Sequence, residues 1–375
     1  MARESMRPKS PLRGIERIGH PVKSRAGKVT LERNERTIDF PPEVLHDLRE
    51  LMTGFVLRAY PEMDAFYAAL SHWTGFPVES LLATDGADGG LHRVFATYVS
   101  QGDEVVILSP SYAMYPVYCQ MYGARMRALS FTERFELPFE AVYEAATPGT
   151  RLIALVNPNQ PIECCFSLEQ LRALAARCAE RGIILLVDEA YYHFCPVTAA
   201  PVICEFEEVI VARTFSKAFG LAGLRIGYLI AAPQVTTALR ALKPIYEINH
   251  LNAAIGTYVL ERPWIMEAYV ESVRAGRVLL EAWCQRTGWT THGRQSNTVL
   301  VALPDSVHAE AMSAALMRDG WLVRAETKPP MPNHLRITLG PPEQMRQLCD
   351  RLEAWRGVDS PSGAATRAAG MAQRQ

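Results

Sequence analysis

Val209-Ile210-Val211-Ala212-Arg213-Thr214-Phe215-Ser216-Lys217-Ala218-Phe219-Gly220-Leu221-Ala222-Gly223-Leu224-Arg225-Ile226-Gly227 decides how this chain reads. It opens with a short β-branched apolar run, which predicts a strand buried on both faces. A lysine follows just past the strand end, with two hydroxyl residues before it and small residues and an arginine after it. An amine placed this way can leave water and become a nucleophile toward a carbonyl. A Ser-Lys pair at a strand end is, taken alone, most often a surface feature. The flanks on both sides argue against that here.

Outward from this stretch the pattern repeats. Residues 104–108, 152–156 and 183–187 are further Val/Ile/Leu-rich runs, and 225–230 reads as one more strand. Helical stripes separate them: Leu91, Val94, Phe95, Tyr98 and Val99 share one face, as do Leu168, Leu171, Leu174 and Cys178. The alternation predicts an α/β fold, a large domain over 31–250 with a mostly parallel sheet between helices. The later third changes character. Met266, Tyr269, Val273, Gly276, Leu280 and Trp283 trace a long helix. Strands at 298–303, 321–324 and 334–338 follow, with a helix at 310–318 and a closing helix carrying Met345, Leu348, Leu352 and Trp355. This predicts a smaller α+β domain over 251–357. Residues 1–30, basic and broken by Pro8, Pro11 and Pro21, read as a flexible arm. Residues 358–375, rich in Ser, Ala and Gly, read as a disordered tail. No internal repeat is visible.

Composition narrows the function classes. The chain has 375 residues, 49% of them hydrophobic, and a formal net charge of −1. That is ample for a core and gives no overall field for nucleic acid or an acidic membrane. No apolar run approaches the ~20 residues that span a bilayer, and the N-terminus lacks the apolar segment of a signal peptide. The eight cysteines form no CxxC pair. Cys164 and Cys165 are adjacent, which suits neither zinc spacing nor an easy disulfide, so no metal is expected. A reducing cytoplasm is the expected compartment.

Several residues carry chemistry. Gly86-Ala87-Asp88-Gly89-Gly90 precedes a helix expected to begin near Leu91, and free N–H groups at a helix start bind phosphate. A glycine turn before a helix is common, so this pattern alone decides nothing. Asp188 ends a predicted parallel strand, where α/β folds bind ligands; it either faces a ligand or caps the next segment. Tyr191, three residues on, either reaches a ligand with its hydroxyl or packs in the core. Tyr112 follows another strand end and would stack on a flat ring, but spacing does not choose it over Tyr115 or Tyr118. Arg336 lies between apolar neighbours and, with Arg324, either binds an anionic substrate group or closes an internal salt bridge. An amine at Lys217, hydroxyls at Thr214 and Ser216 and a cation at Arg225 together suit pyridoxal phosphate, an aldehyde that carries a phosphate.

Taken in order, GADGG, SYAMY, NPNQP, VDEAYYHF, TFSKAFGLAGLRIGY and LRITLG resemble the fold-type I pyridoxal-phosphate enzymes of the class I/II aminotransferase group. Within that group the chain is most similar to the histidinol-phosphate aminotransferase family, from about Asn34 to Trp355. The resemblance implies that Lys217 bonds the cofactor's aldehyde carbon and moves the substrate's Cα proton. It implies that Asp188 pairs with the pyridine nitrogen, Tyr191 with the ring hydroxyl, and that Tyr112 stacks on the ring. Gly86, Ala87, Asp88, Thr214, Ser216 and Arg225 would hold the phosphate. Tyr60 would reach the phosphate of a partner subunit's cofactor, which implies a homodimer with shared sites. Arg336 would bind the substrate's acid group, with Arg324 as a second anion contact, and the Asn34-Glu35 segment would cover the substrate. An amino donor and a 2-keto acid acceptor are the implied partners.

The chain departs from that family after the 152–156 strand. Gln160 stands where the family has an asparagine that donates to the ring oxygen, and Ile162 and Glu163 replace a Thr-Gly pair. Gly89 stands where an acidic residue is frequent. The altered loop keeps open a decarboxylase, or an oxidase or cyclase acting on an amino acid, on the same cofactor. A transcriptional regulator would need a DNA-binding domain, for which about 30 leading residues are too few. A catalytically dead subunit does not fit the joint presence of Lys217, Asp188, Tyr191 and Arg225.

Overall fold

The computed structural model describes residues 9–15 and 24–358. The remainder of the arm and all of the tail beyond Val358 lie outside the described residues. The strands in chain order are β1 (Val29–Thr30), β2 (Leu81–Asp85), β3 (Glu104–Ser109), β4 (Arg125–Ser130), β5 (Thr150–Val156), β6 (Ile184–Asp188), β7 (Val209–Thr214), β8 (Ile226–Ala231), β9 (Thr290–His292), β10 (Thr298–Ala302), β11 (Trp321–Leu322), β12 (Arg324–Glu326) and β13 (His334–Thr338).

Two compact units emerge. The larger comprises Asp39–Glu267 with Gly293–Ser296 and the described N-terminal residues; the smaller comprises Ser24–Ile38, Ala268–His292 and the chain from Asn297. The sequence boundary at 250/251 differs from this division because the helix His250–Leu260 packs against the helix Asp64–Thr74 of the larger unit. Residues 24–38 join the smaller unit, where β1 pairs in parallel with β11.

The larger unit holds a seven-stranded sheet in the order β2-β8-β7-β6-β5-β3-β4. β7, β6, β5, β3 and β4 run parallel, and only β8 pairs antiparallel with its neighbours β7 and β2. The fold is therefore α/β and mostly parallel, as the apolar runs predict. β5, β6 and β7 are almost continuously buried because helices cover the sheet, so every side chain must be apolar or paired. The helix Gly86–Tyr98 presents Leu91, Val94 and Phe95 to a core that includes Ile107, Leu186, Ile210 and Leu229. The helix Leu168–Ala179 starts at a capping box, Ser167 with Gln170, which satisfies two otherwise orphaned donors.

The smaller unit has an antiparallel sheet in the order β12-β13-β10-β9. The helix Ala309–Arg318 packs on β11 and β12. The single strand expected at 321–324 is two: Val323 breaks it, and β11 and β12 pair with different partners.

Candidate active site

Strand register alone gathers the main candidates at one edge of the large sheet. Asp188 ends β6 and Thr214 ends β7, and register sets Asp188 beside Ala212. β8 runs the opposite way, so its beginning lies next to the end of β7, with Gly227 opposite Thr214. Arg225 immediately precedes β8 and is thus delivered to the same edge. This is the carboxyl end of the parallel strands, where open α/β sheets bind ligands.

A cationic cradle results. Thr214 Oγ1 donates to Ser216 Oγ at 2.9 Å and accepts from the Ser216 N–H at 3.1 Å. Arg225 Nη1 donates to Ser216 Oγ at 3.3 Å. Arg225 holds a left-handed backbone, φ +52°, which costs an arginine roughly 1–2 kcal/mol and needs a compensating contact. Its carbonyl accepts from the Gly86 N–H at 3.1 Å. Gly86, φ +68°, opens the helix, and a Cβ there would stand 2.5 Å from Arg225 Nη2. A Cβ on Gly227 would stand 2.4 Å from the Gly86 carbonyl carbon, so the two glycines let strand and helix start meet. The helix therefore begins at Gly86, five residues before Leu91; the glycine run forms its first turn instead of preceding it. Ala87 and Asp88 then supply N–H groups that the helix itself leaves unpaired. A guanidinium, two hydroxyls and a helix N-terminus form a donor set suited to a phosphate.

Asp188 is buried. Its Oδ1 accepts from the Ala190 N–H at 3.1 Å and its Oδ2 from the Tyr115 hydroxyl at 3.3 Å. Burial pushes its pKa up to about 7, partly offset by those two hydrogen bonds. Burial, with Asp188 nearby, holds the Tyr115 hydroxyl well above the ordinary phenol range, so it stays a donor. A buried carboxylate served only by neutral donors has the chemistry to take a protonated ring nitrogen. Lys217 Nζ lies 6.0 Å from the centroid of the buried Tyr191 ring.

The structure also separates the three tyrosines. Tyr115 and Tyr118 lie on the helix Met114–Tyr122 and are buried, with Tyr118 donating to Asp88. Tyr112 precedes that helix, is 38% exposed, stands edge-on to Tyr115 and donates to Asp88 Oδ1 at 3.1 Å. Of the three, its ring is the one open to a flat ligand. The three are evenly spaced at i, i+3, so the sequence held no sign of this division; it follows from the helix starting at Met114, after Tyr112.

Elsewhere in this unit, the Gln160 Nε2 donates to Ser296 Oγ at 2.8 Å. Tyr60 lies apart from the cradle's hydrogen bonds: it stacks on Tyr246 and is 77% exposed. Sequence reasoning missed the buried pair of Arg213 Nε and Glu189 Oε2, at 3.0 Å, which directly flanks Thr214 and Asp188. Arg213 also lies 3.6 Å over the Tyr192 ring. An arginine inside the apolar run of β7, with a glutamate just past the end of β6, was the sign that such a pair exists.

Arg324, Arg336 and Asn34 belong to the smaller unit. Arg324 stands directly opposite Arg336 in the β12–β13 register. Glu326 Oε1 lies 3.0 Å from Arg324 Nε and 3.6 Å from Arg336 Nε. Asn34, φ +58°, is buried; its N–H donates to Thr338 Oγ1 at 2.9 Å and its carbonyl accepts from Asn297 Nδ2 at 3.0 Å. Glu35 is held by Arg25.

Among the described residues no group of His, Cys, Asp or Glu is arranged to hold a metal ion, and no helix is long and apolar enough to cross a membrane. The family profile of aminotransferase class I and II matches residues 26–352. A histidinol-phosphate aminotransferase from Symbiobacterium thermophilum is 31% identical over 330 residues, 87% of this chain and 90% of that one. In fold, the chain is similar to a histidinol-phosphate aminotransferase from Sinorhizobium meliloti solved in complex with pyridoxal-5'-phosphate. That likeness has a TM-score of 0.78 at 24% identity and covers 86% of this chain and 89% of that one. An aspartate aminotransferase from Thermus thermophilus solved with maleate gives a TM-score of 0.72 at 22% identity, over 87% and 91% of the two chains. The profile match over most of the length, together with the cradle and the buried acid, leads to one conclusion: the chain belongs to the class I and II aminotransferases, the pyridoxal-phosphate-dependent family its motifs resemble.

Proposed function

We propose that this aminotransferase moves an amino group from a phosphorylated amine of the histidinol-phosphate kind, or from an amino acid, to a 2-keto acid, and that it works as a cytoplasmic homodimer. The observation that carries the reading is the delivery of Asp188, Thr214, Ser216 and Arg225 to one sheet edge beside the start of the helix Gly86–Tyr98. Bound pyridoxal phosphate would supply an aldehyde carbon and an electron-withdrawing ring. Thr214, Ser216, Arg225 and the Ala87 and Asp88 N–H groups would hold its phosphate, with Gly86 giving the close approach. Asp188 would keep the ring nitrogen protonated, Tyr191 and Gln160 would face the ring oxygen, and Tyr112 would cover one face. Lys217 would bond the aldehyde carbon and, once displaced by substrate, accept the Cα proton at Nζ.

Arg336 would bind the substrate's acid group, Arg324 would add a second cation, and the backbone at Asn34 would shape the cover over it. Two cations suit a phosphate or a carboxylate equally, and the kinship with histidinol-phosphate aminotransferases favours the phosphate. The homodimer is supported by the exposed apolar group Phe55, Leu57, Tyr60, Ile245 and Tyr246, of a kind that marks protein interfaces. The cytoplasm suits buried thiols at Cys119, Cys178 and Cys284.

Borohydride reduction with pyridoxal phosphate, followed by peptide mapping, should label Lys217; a label elsewhere, or none, rejects the assignment. A donor and acceptor screen should show amine transfer that needs a keto acid. Carbon dioxide release without transfer would move the chain to the decarboxylases.

A further inference from the structure

The loop that departs from the family is tied down at two points. Its start is fixed to the site: Asn157 N–H donates to the Asp188 carbonyl at 2.9 Å, and β5 and β6 are in register at Val156 and Asp188. Asn159 stiffens the middle, with Nδ2 donating to the Pro110 and Ile162 carbonyls at 3.1 and 2.8 Å and Oδ1 accepting from Ser111. Glu163 then uses both carboxylate oxygens on two consecutive backbone amides. Oε1 accepts from the Arg294 N–H at 2.5 Å and Oε2 from the Gln295 N–H at 2.7 Å. Gly293, φ +97°, makes the turn that aims both amides at the carboxylate, and a Cβ there would stand 3.3 Å from Glu163 Oε2. The next residue, Ser296, is 2% exposed and accepts from the Gln160 amide at 2.8 Å.

This chain of contacts has a physical purpose. Glutamine has one more rotatable bond than asparagine, so ordering its side chain costs more conformational entropy. A hydroxyl at a fixed position selects one amide orientation, and charge-assisted bonds to backbone amides fix that position. We infer that Ser296 and Glu163 are positioning residues: Ser296 orients the Gln160 amide toward the cofactor ring, and Glu163 pins the 293–296 segment that carries Ser296. The assignment rests on the proposed reading of Gln160.

The test uses the holoenzyme and the variants Ser296→Ala, Gln160→Ala, their double variant and Glu163→Ala. Ser296→Ala removes a single oxygen, which leaves folding intact. Its bound cofactor should show a pH titration of visible absorbance displaced by at least half a unit. kcat should fall about tenfold, the worth of one hydrogen bond, with KM for the donor moving less than twofold. In the Gln160→Ala background, Ser296→Ala should change neither quantity further. Glu163→Ala should displace the titration in the same direction by a smaller amount. Additive effects of the two single changes, or a lower melting temperature with an undisplaced titration, overturn the positioning role. Absence of any adduct on Lys217 in the unsubstituted protein overturns the underlying reading instead, so the two failures are distinguishable.

Discussion

The cradle at Arg225 and the arginine pair of the smaller unit both look suited to anions, yet they are built in opposite ways. The cradle has one guanidinium among neutral donors: two hydroxyls and the N–H groups of a helix start. Its strain is local, in the left-handed Arg225, whose carbonyl is held by the Gly86 N–H. The pair at Arg324 and Arg336 sets two like charges opposite each other on adjacent strands, which is unfavourable unless a counter-charge intervenes. Glu326 is that counter-charge. One site is left without an internal acid and the other carries its own anion, which a substrate would have to outcompete if the proposed role of Arg336 holds. Under the proposed reading, a cradle without an internal acid suits a resident cofactor and a pair that carries its own anion suits a group that exchanges.

The largest expected effect comes from separating binding from chemistry. Lys217→Ala should lower turnover at least about 10⁴-fold, the scale of losing both a nucleophile and a general base. The cradle should still hold cofactor in equilibrium dialysis. Full activity in that variant would remove the lysine from the mechanism. Loss of all cofactor affinity would mean that the cradle is not preorganised.

The carboxylates sharpen the same contrast. Asp188 has neutral donors and is pushed from 3.8 up to about 7 by burial, whereas Glu326 sits between two cations. Because folding raises the Asp188 pKa, the folded chain keeps a proton between about pH 4 and 7 that the unfolded chain has released. Its contribution to stability is therefore greatest below pH 4 and is lost as pH rises through 7, by roughly 4 kcal/mol at most. Denaturant unfolding of the cofactor-free protein should show this downward slope, Asp188→Asn should flatten it, and saturating pyridoxal phosphate should also flatten it. A cofactor-free Asp188→Asn protein with an unchanged slope would assign the titration to another group.

What the sequence alone makes legible follows the same division. β5, β6 and β7 announce themselves as apolar runs because both faces are covered. Within the seven-stranded sheet the strands that went unread, β2 and β4, are its two edges. β4 exposes Arg125 and Arg127, so it lacks the apolar pattern that marks a buried strand. The cradle was legible because Thr214, Ser216 and Arg225 lie within one short segment whose spacing fixes their chemistry. Glu326 and Ser296 were not, because their partners are set by strand pairing and by contacts more than a hundred residues apart. Arg336 illustrates the middle case: its need for an anion was plain, but both readings of that anion, substrate and internal acid, fit the sequence equally.

Substitution within the pair should separate those readings. Arg336→Ala should raise KM for an acidic substrate by about 10- to 100-fold, the worth of one charge-assisted contact, with cofactor affinity unmoved. Arg324, whose side chain is 52% exposed, should matter by less than about tenfold, since water and salt screen it. An unchanged KM in Arg336→Ala would mean that the substrate's anion is held elsewhere.

The smallest and most discriminating change is Glu326→Gln. It keeps size and hydrogen-bonding capacity and removes one negative charge between the arginines. If a substrate anion has to outcompete that carboxylate, KM should fall a few-fold. A phosphate dianion should gain more than a carboxylate monoanion, because each extra charge meets a field one unit more positive. The gain should shrink as salt rises, since Arg324 faces solvent. If instead the acid serves mainly to hold Arg336 in its working orientation, KM should rise for both substrates and the salt dependence should stay as it was. The sign of a single measured ratio therefore decides whether the smaller unit's acid competes with the substrate or prepares its site.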